Sequence, residues 1–175
     1  KGIAGKRDKV YLGLKVTWPP DQDAQLDRCL KILKTDYVDV LFFNIHANPE
    51  SVESPALREG FERWKKQGKA RFCGLTTHGT EKPCMEAALR AGWYDCLMPK
   101  YRLDDRASYK AILDECEKKK IGMLAMKTNL RPGDAVDHVD IGRRAVHPHL
   151  IIAKDLPDDK VTDVQAKDLH QVAAN

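Results

Sequence analysis

Apolar positions along this chain switch between two periods. Short dense runs, such as Val10-Tyr11-Leu12-Gly13-Leu14 and Val40-Leu41-Phe42-Phe43, alternate with longer stretches in which apolar residues return every three or four positions. The first pattern predicts buried strands and the second amphipathic helices. Read in order, residues 10–16 form a first strand. Residues 21–34 follow as a helix, with Leu26, Cys29, Leu30 and Leu33 on one face. Residues 38–46 are the second strand. The second helix opens at Ser54-Pro55, a good cap and first-turn pair, buries Leu57, Phe61 and Trp64, and stops at Gly68. Residues 70–76 are the third strand. The third helix spans 83–91, with Met85, Ala88 and Leu89 inward and Gly92 as its C-cap. Residues 95–101 are the fourth strand, 106–120 the fourth helix with Tyr109, Ile112, Leu113 and Cys116 inward, and 122–128 the fifth strand.

The strand ends fall at His46, Thr77, Tyr101 and Lys127, one βα unit apart each time. Repeated units of this kind imply an α/β fold, a parallel sheet with helices outside it. A doubly wound open sheet fits the alternation too, but no G-x-G-x-x-G or G-x-x-x-x-G-K-[ST] follows the first strand. A nucleotide-binding open sheet thereby loses its main support, and residues 1–129 hold five recognisable βα units. Residues 130–175 read as a separate, irregular C-terminal segment or remaining barrel periphery. Pro132-Gly133 breaks the pattern, Leu150-Ile151-Ile152-Ala153 is a short apolar run, and 161–174 has the spacing of a short helix. His147 and His149 form an H-x-H with no assured third ligand nearby, so a loop is preferred to a metal site.

Composition changes this picture little. The 175 residues are 42% hydrophobic and 32% charged, enough for one domain with a core. A net charge of +4, with no basic stripe interleaved with aromatics, argues against nucleic acid. Lys118-Lys119-Lys120 falls at a helix C-terminus, where cations offset the dipole. The five cysteines include no C-x-x-C and sit in apolar patterns, as small buried hydrophobes would. That usage favours a reducing compartment and a cytoplasmic location. No apolar stretch reaches membrane-span length.

Two polar residues stand out against this background. Lys15 closes the first strand-like run and His46 closes the second. Each alone would ordinarily be a solvated lysine or a hydrogen-bonded histidine. A helix lies between the two strands, so both belong to the same end of neighbouring parallel strands. In a βα barrel that end carries the chemistry.

The segments 6–15 (KRDKVYLGLK), 33–46 (LKTDYVDVLFFNIH) and 64–78 (WKKQGKARFCGLTTH) resemble the aldo-keto reductases, in the family's motif order. Residues 74–79 and 124–128 are similar to its bacterial branch of predicted oxidoreductases. The resemblance covers about residues 6–129. It implies a (β/α)8 barrel that binds NADPH across its C-terminal mouth and reduces aldehyde or ketone carbonyls by hydride transfer. Lys15 matches the family's catalytic lysine and His46 its catalytic histidine. The lysine would stabilise the tyrosinate formed when a phenol, with an unperturbed pKa of ~10, protonates the carbonyl oxygen. The histidine would orient that oxygen by a hydrogen bond. The cofactor residues implied are Thr76 and Thr77 where the family has Ser-Asn, Met98 where it has Gln, and Lys127, beside Met126 at the place of an aromatic stacker.

The family's Asp and Tyr precede the segment that begins at Lys1. Of the tyrosines present, Tyr11 shares parity with Lys15 but lies deeper, and Tyr101 ends a strand where packing is the preferred role. An open set of five strands would have two raw edges. A start at Lys1 rather than Met favours a segment of a longer protein. The alternative is a catalytically incomplete remnant, a structural or interaction subunit whose edges a homo- or hetero-oligomeric partner covers. The partner implied by the first reading is a small-molecule carbonyl substrate.

Overall fold

A computed structural model gives the fold, and describes residues 7–17, 22–46, 48–101, 105–126, 150–153 and 169–171. Five strands run parallel: β1 (Tyr11–Thr17), β2 (Val38–His46), β3 (Ala70–His78), β4 (Cys96–Met98) and β5 (Gly122–Met123). Helices connect them: α1 (Gln22–Leu33), α2 (Pro49–Val52) with α3 (Pro55–Lys66), α4 (Glu81–Ala91) and α5 (Arg106–Lys119). Five parallel βα units of this kind form part of a (β/α)8 barrel. None of the helices among the described residues is long and apolar enough to cross a membrane.

Strand alternation sorts the side chains into two layers. Leu12, Leu14, Val16, Leu41, Phe43, Cys73, Leu75 and Leu97 join one buried cluster with Leu26, Leu57, Phe61, Trp64, Met85, Ala88 and Ile112 of the helices. Residues of the other parity, Phe42, Cys96 and Met98, form a second cluster on the inner face, with Val40, Leu124 and Met126 packed against it. Gly74 stands on that face because a Cβ there would overlap the Phe42 ring. All five cysteines are buried and free.

Two carboxylates, Asp39 buried and Asp95 partly so, tie neighbouring strands together. Asp39 is 2% exposed, and its Oδ2 accepts from Leu12 N and Arg7 Nη2, both at 2.8 Å, while Oδ1 accepts from Arg71 Nη1 at 2.9 Å. Asp95 Oδ2 accepts from Cys73 N at 2.8 Å.

Several boundaries differ from the sequence reading. β1 runs one residue past Val16, to Thr17, and β3 two past Thr76, to His78. The ladder of β4 and β5 is interrupted, since Pro99 has no N–H to give. It resumes at a Lys100–Met126 bridge, where Met126 N donates to Pro99 O and Tyr101 N to Met126 O. α2 was not foreseen, although Asn48 caps it by accepting from Glu50 N at 3.0 Å.

The edge of β1 is not bare. Leu150–Ala153 forms β6, parallel to β1 in the register Tyr11↔Leu150 to Leu14↔Ala153. Leu169–Gln171 forms β7, antiparallel to β6. The sheet order is β5-β4-β3-β2-β1-β6-β7. The helix expected over 161–174 is thus corrected within 169–171. The outer edge of β6 presents backbone donors and acceptors, and pairing with them outweighs a weak helical spacing. His147 and His149 lie outside the described residues.

Candidate active site at the C-terminal mouth of the sheet

The register sets the levels of the mouth. Lys15 pairs with Phe42, Phe42 with Gly74, Gly74 with Cys96 and Cys96 with Gly122. One pleat higher, Thr17, Asn44, Thr76 and Met98 make the next row. His46 pairs with His78 one pleat above that. Lys15 and His46 therefore stand on adjacent strands but not at one level. Four residues separate them, about 13 Å of strand.

The Lys15 side chain crosses part of that offset. Its Nζ donates to Met126 Sδ at 3.2 Å. Met126 stands four residues beyond Gly122, just as His46 stands four beyond Phe42. The ammonium thus meets a side chain rooted at the level of the His46 backbone. Thr76, fully buried, donates its Oγ1 to Met98 O at 3.1 Å and lies 3.7 Å from the same Met126 sulfur. Lys15, Thr76 and Met126 make one contact group over a floor of Phe42, Cys96 and Met98. Burial pushes the Cys96 thiol well above its ordinary value, aided by Asp95 and Cys116, so it stays protonated.

The remaining site expectations fall out unevenly. Thr77 is buried, but its parity is that of Leu75, towards the helices, and its Oγ1 has no partner. Thr76 is the member of the pair on the inner face. Met98 lies in the floor at 2% exposure. The side chain of His46 and all of Lys127 lie outside the described residues. Tyr101 packs edge-to-face on Tyr109 of α5 at 5.4 Å, with the helix-side core, and Tyr11 is 41% exposed far from the mouth. Burial, with Glu81 and Asp105 nearby, pushes the Tyr109 phenol up to about 12. Thr17 and Asn44 of the middle row were missed. The signal was available, since each lies two residues from a residue already singled out and so shares its face.

The mouth thus brings an ammonium, a hydroxyl that already donates to Met98 O, and the Met126 thioether together over an apolar floor.

Comparison with known proteins agrees with this geometry. The model of the aldo/keto reductase family matches residues 2–130. Among curated proteins, none matches the chain by sequence. Among solved structures, a Pseudomonas aeruginosa protein classed as an aldo-keto reductase is 21% identical with a TM-score of 0.58, covering 70% of this chain and 51% of that one. A thermostable aldo-keto reductase solved with the inhibitor epalrestat is 25% identical with a TM-score of 0.57, covering 70% and 46%. An aldo-keto reductase from Bacillus halodurans, in its holo form, is 15% identical with a TM-score of 0.55, covering 77% and 51%. The chain spans about half the length of these structures. With the family model matching well over half of its residues, the chain belongs to the aldo/keto reductase family.

Proposed function

We propose that this chain carries part of the active site of an NADPH-dependent oxidoreductase that reduces aldehyde and ketone carbonyls. The observation that carries the reading is the placement of the Lys15 ammonium at the C-terminal mouth of a family sheet, against Met126 and the Thr76 group. Bound there, NADPH would supply a hydride to the carbonyl carbon. Thr76 and Met126 would hold its nicotinamide end over the Met98 floor, with Lys127 as a further candidate. Lys15 would stabilise the anion left when a phenol gives its proton to the carbonyl oxygen, and His46 would orient that oxygen. Steady-state kinetics on a panel of aldehydes and quinones, run on the form that turns over, tests this reading. Activity that requires Lys15 and NADPH supports it; carbonyl turnover indifferent to Lys15 contradicts it.

One observation favours a second reading. The chain's own β6 occupies the edge of β1, which a neighbouring barrel strand would otherwise need. On that reading the chain is a non-catalytic structural or interaction subunit, and it binds no nicotinamide cofactor.

A further inference from the structure

Four methionines occur in the chain. Met85 and Met98 are 1% and 2% exposed, and Met123 packs against the helix-side core. Met126, at the mouth, is partly exposed, as Met123 is. Its backbone is fixed on both sides, through Met126 N to Pro99 O at 2.9 Å and Tyr101 N to Met126 O at 3.0 Å. Its sulfur sits 3.2 Å from the Lys15 ammonium and 3.7 Å from the Thr76 hydroxyl. A thioether is a weak acceptor for the ammonium, and the Thr76 proton goes to Met98 O.

We propose that Met126 is a peroxide-sensitive modification site whose sulfoxide clamps Lys15. The sulfur lone pair attacks one oxygen of a hydroperoxide. An S–O bond forms, the O–O bond breaks, and water or an alcohol leaves with the proton; the sulfur is oxidised by two electrons and the peroxide reduced. The new oxygen is a strong acceptor placed beside a cation, and the resulting charge-assisted bond is far stronger than the thioether contact. The step is reversible by methionine sulfoxide reductase with a thiol. Its effect on turnover rests on the carbonyl-reductase reading, because there Lys15 must be available to a developing anion. The clamp itself does not.

The test uses the full chain treated with hydrogen peroxide, peptide mass mapping of each methionine, and acylation of Lys15 by acetic anhydride. Met126 should gain oxygen well before Met85 and Met98. Lys15 acylation should fall several-fold as Met126 is oxidised and recover after reductase treatment. In Met126→Leu, peroxide should leave Lys15 acylation unchanged. Three results would overturn the proposal: oxidation of Met126 no faster than that of the buried pair, unchanged Lys15 acylation once Met126 is oxidised, or a uniform rise in acylation of all lysines, which would mean a loosened fold. None of these readouts needs NADPH. A failed cofactor titration would therefore count against the reductase reading and leave the clamp standing.

Discussion

On the proposed carbonyl-reductase reading, the charge of Lys15 is needed only as a tyrosinate develops, so losing the ammonium should appear in kcat rather than in cofactor affinity. Lys15→Met in the active form should cost about 3–4 kcal/mol of barrier, roughly a few hundredfold in kcat. An NADPH Kd that worsens as much as kcat falls would contradict this. His46→Ala should slow the same step through lost orientation of the carbonyl. Elsewhere, single residues carry the fold. Gly74→Ala would drive a methyl into the Phe42 ring and should destabilise by about 1–3 kcal/mol in urea unfolding. Asp39→Ala would strip the acceptor from Leu12 N and Arg7, and should cost about 2–4 kcal/mol by the same measurement. A loss under half a kcal/mol at either position would mean the site relaxes in a way the packing does not suggest.

Elements were legible where the signal was local. β2 matches its expected span, and α1 and α3 follow their apolar stripes and, for α3, the Ser-Pro start. α2 carries a similar signal in Asn48-Pro49 and was readable by the same rule. β6 and β7 were not readable, because β6 is defined by pairing with β1 more than a hundred residues away. The Lys15–Met126 contact is non-local in the same way; parity places each residue on the inner face, but only the register brings them together. Between elements, α1 and α3 are joined at Asp23. The Trp64 indole N–H holds its carboxyl below the usual range, burial opposes this, and Arg63 adds to the lowering. A carboxylate with a depressed folded pKa stabilises above its unfolded value, and the gain vanishes as pH falls through the folded one. Wild type should therefore exceed Asp23→Asn in stability at neutral pH, with the gap closing below about pH 4. A gap independent of pH would sink that coupling. Hydrogen exchange reports on β6: deletion of residues 150–175 should speed exchange at Tyr11–Leu14 and leave the β2–β3 ladder unchanged. Unaltered exchange in β1 would mean that β6 does not hold that edge.

For the whole molecule, the family and the five-unit α/β architecture agree from pattern, fold and comparison. The activity rests on fewer groups. The mouth brings together an ammonium, a hydroxyl and two thioethers, and the proposed reading assigns them to the nicotinamide end of a cofactor. The structural-subunit reading predicts the same fold with no such binding. A fluorescence titration of the chain with NADPH separates the two most directly. The account predicts a saturable change at micromolar affinity, weakened by substitution of Thr76 and little affected by Lys15→Met. A chain that remains folded yet gives no saturable signal with NADPH would contradict it.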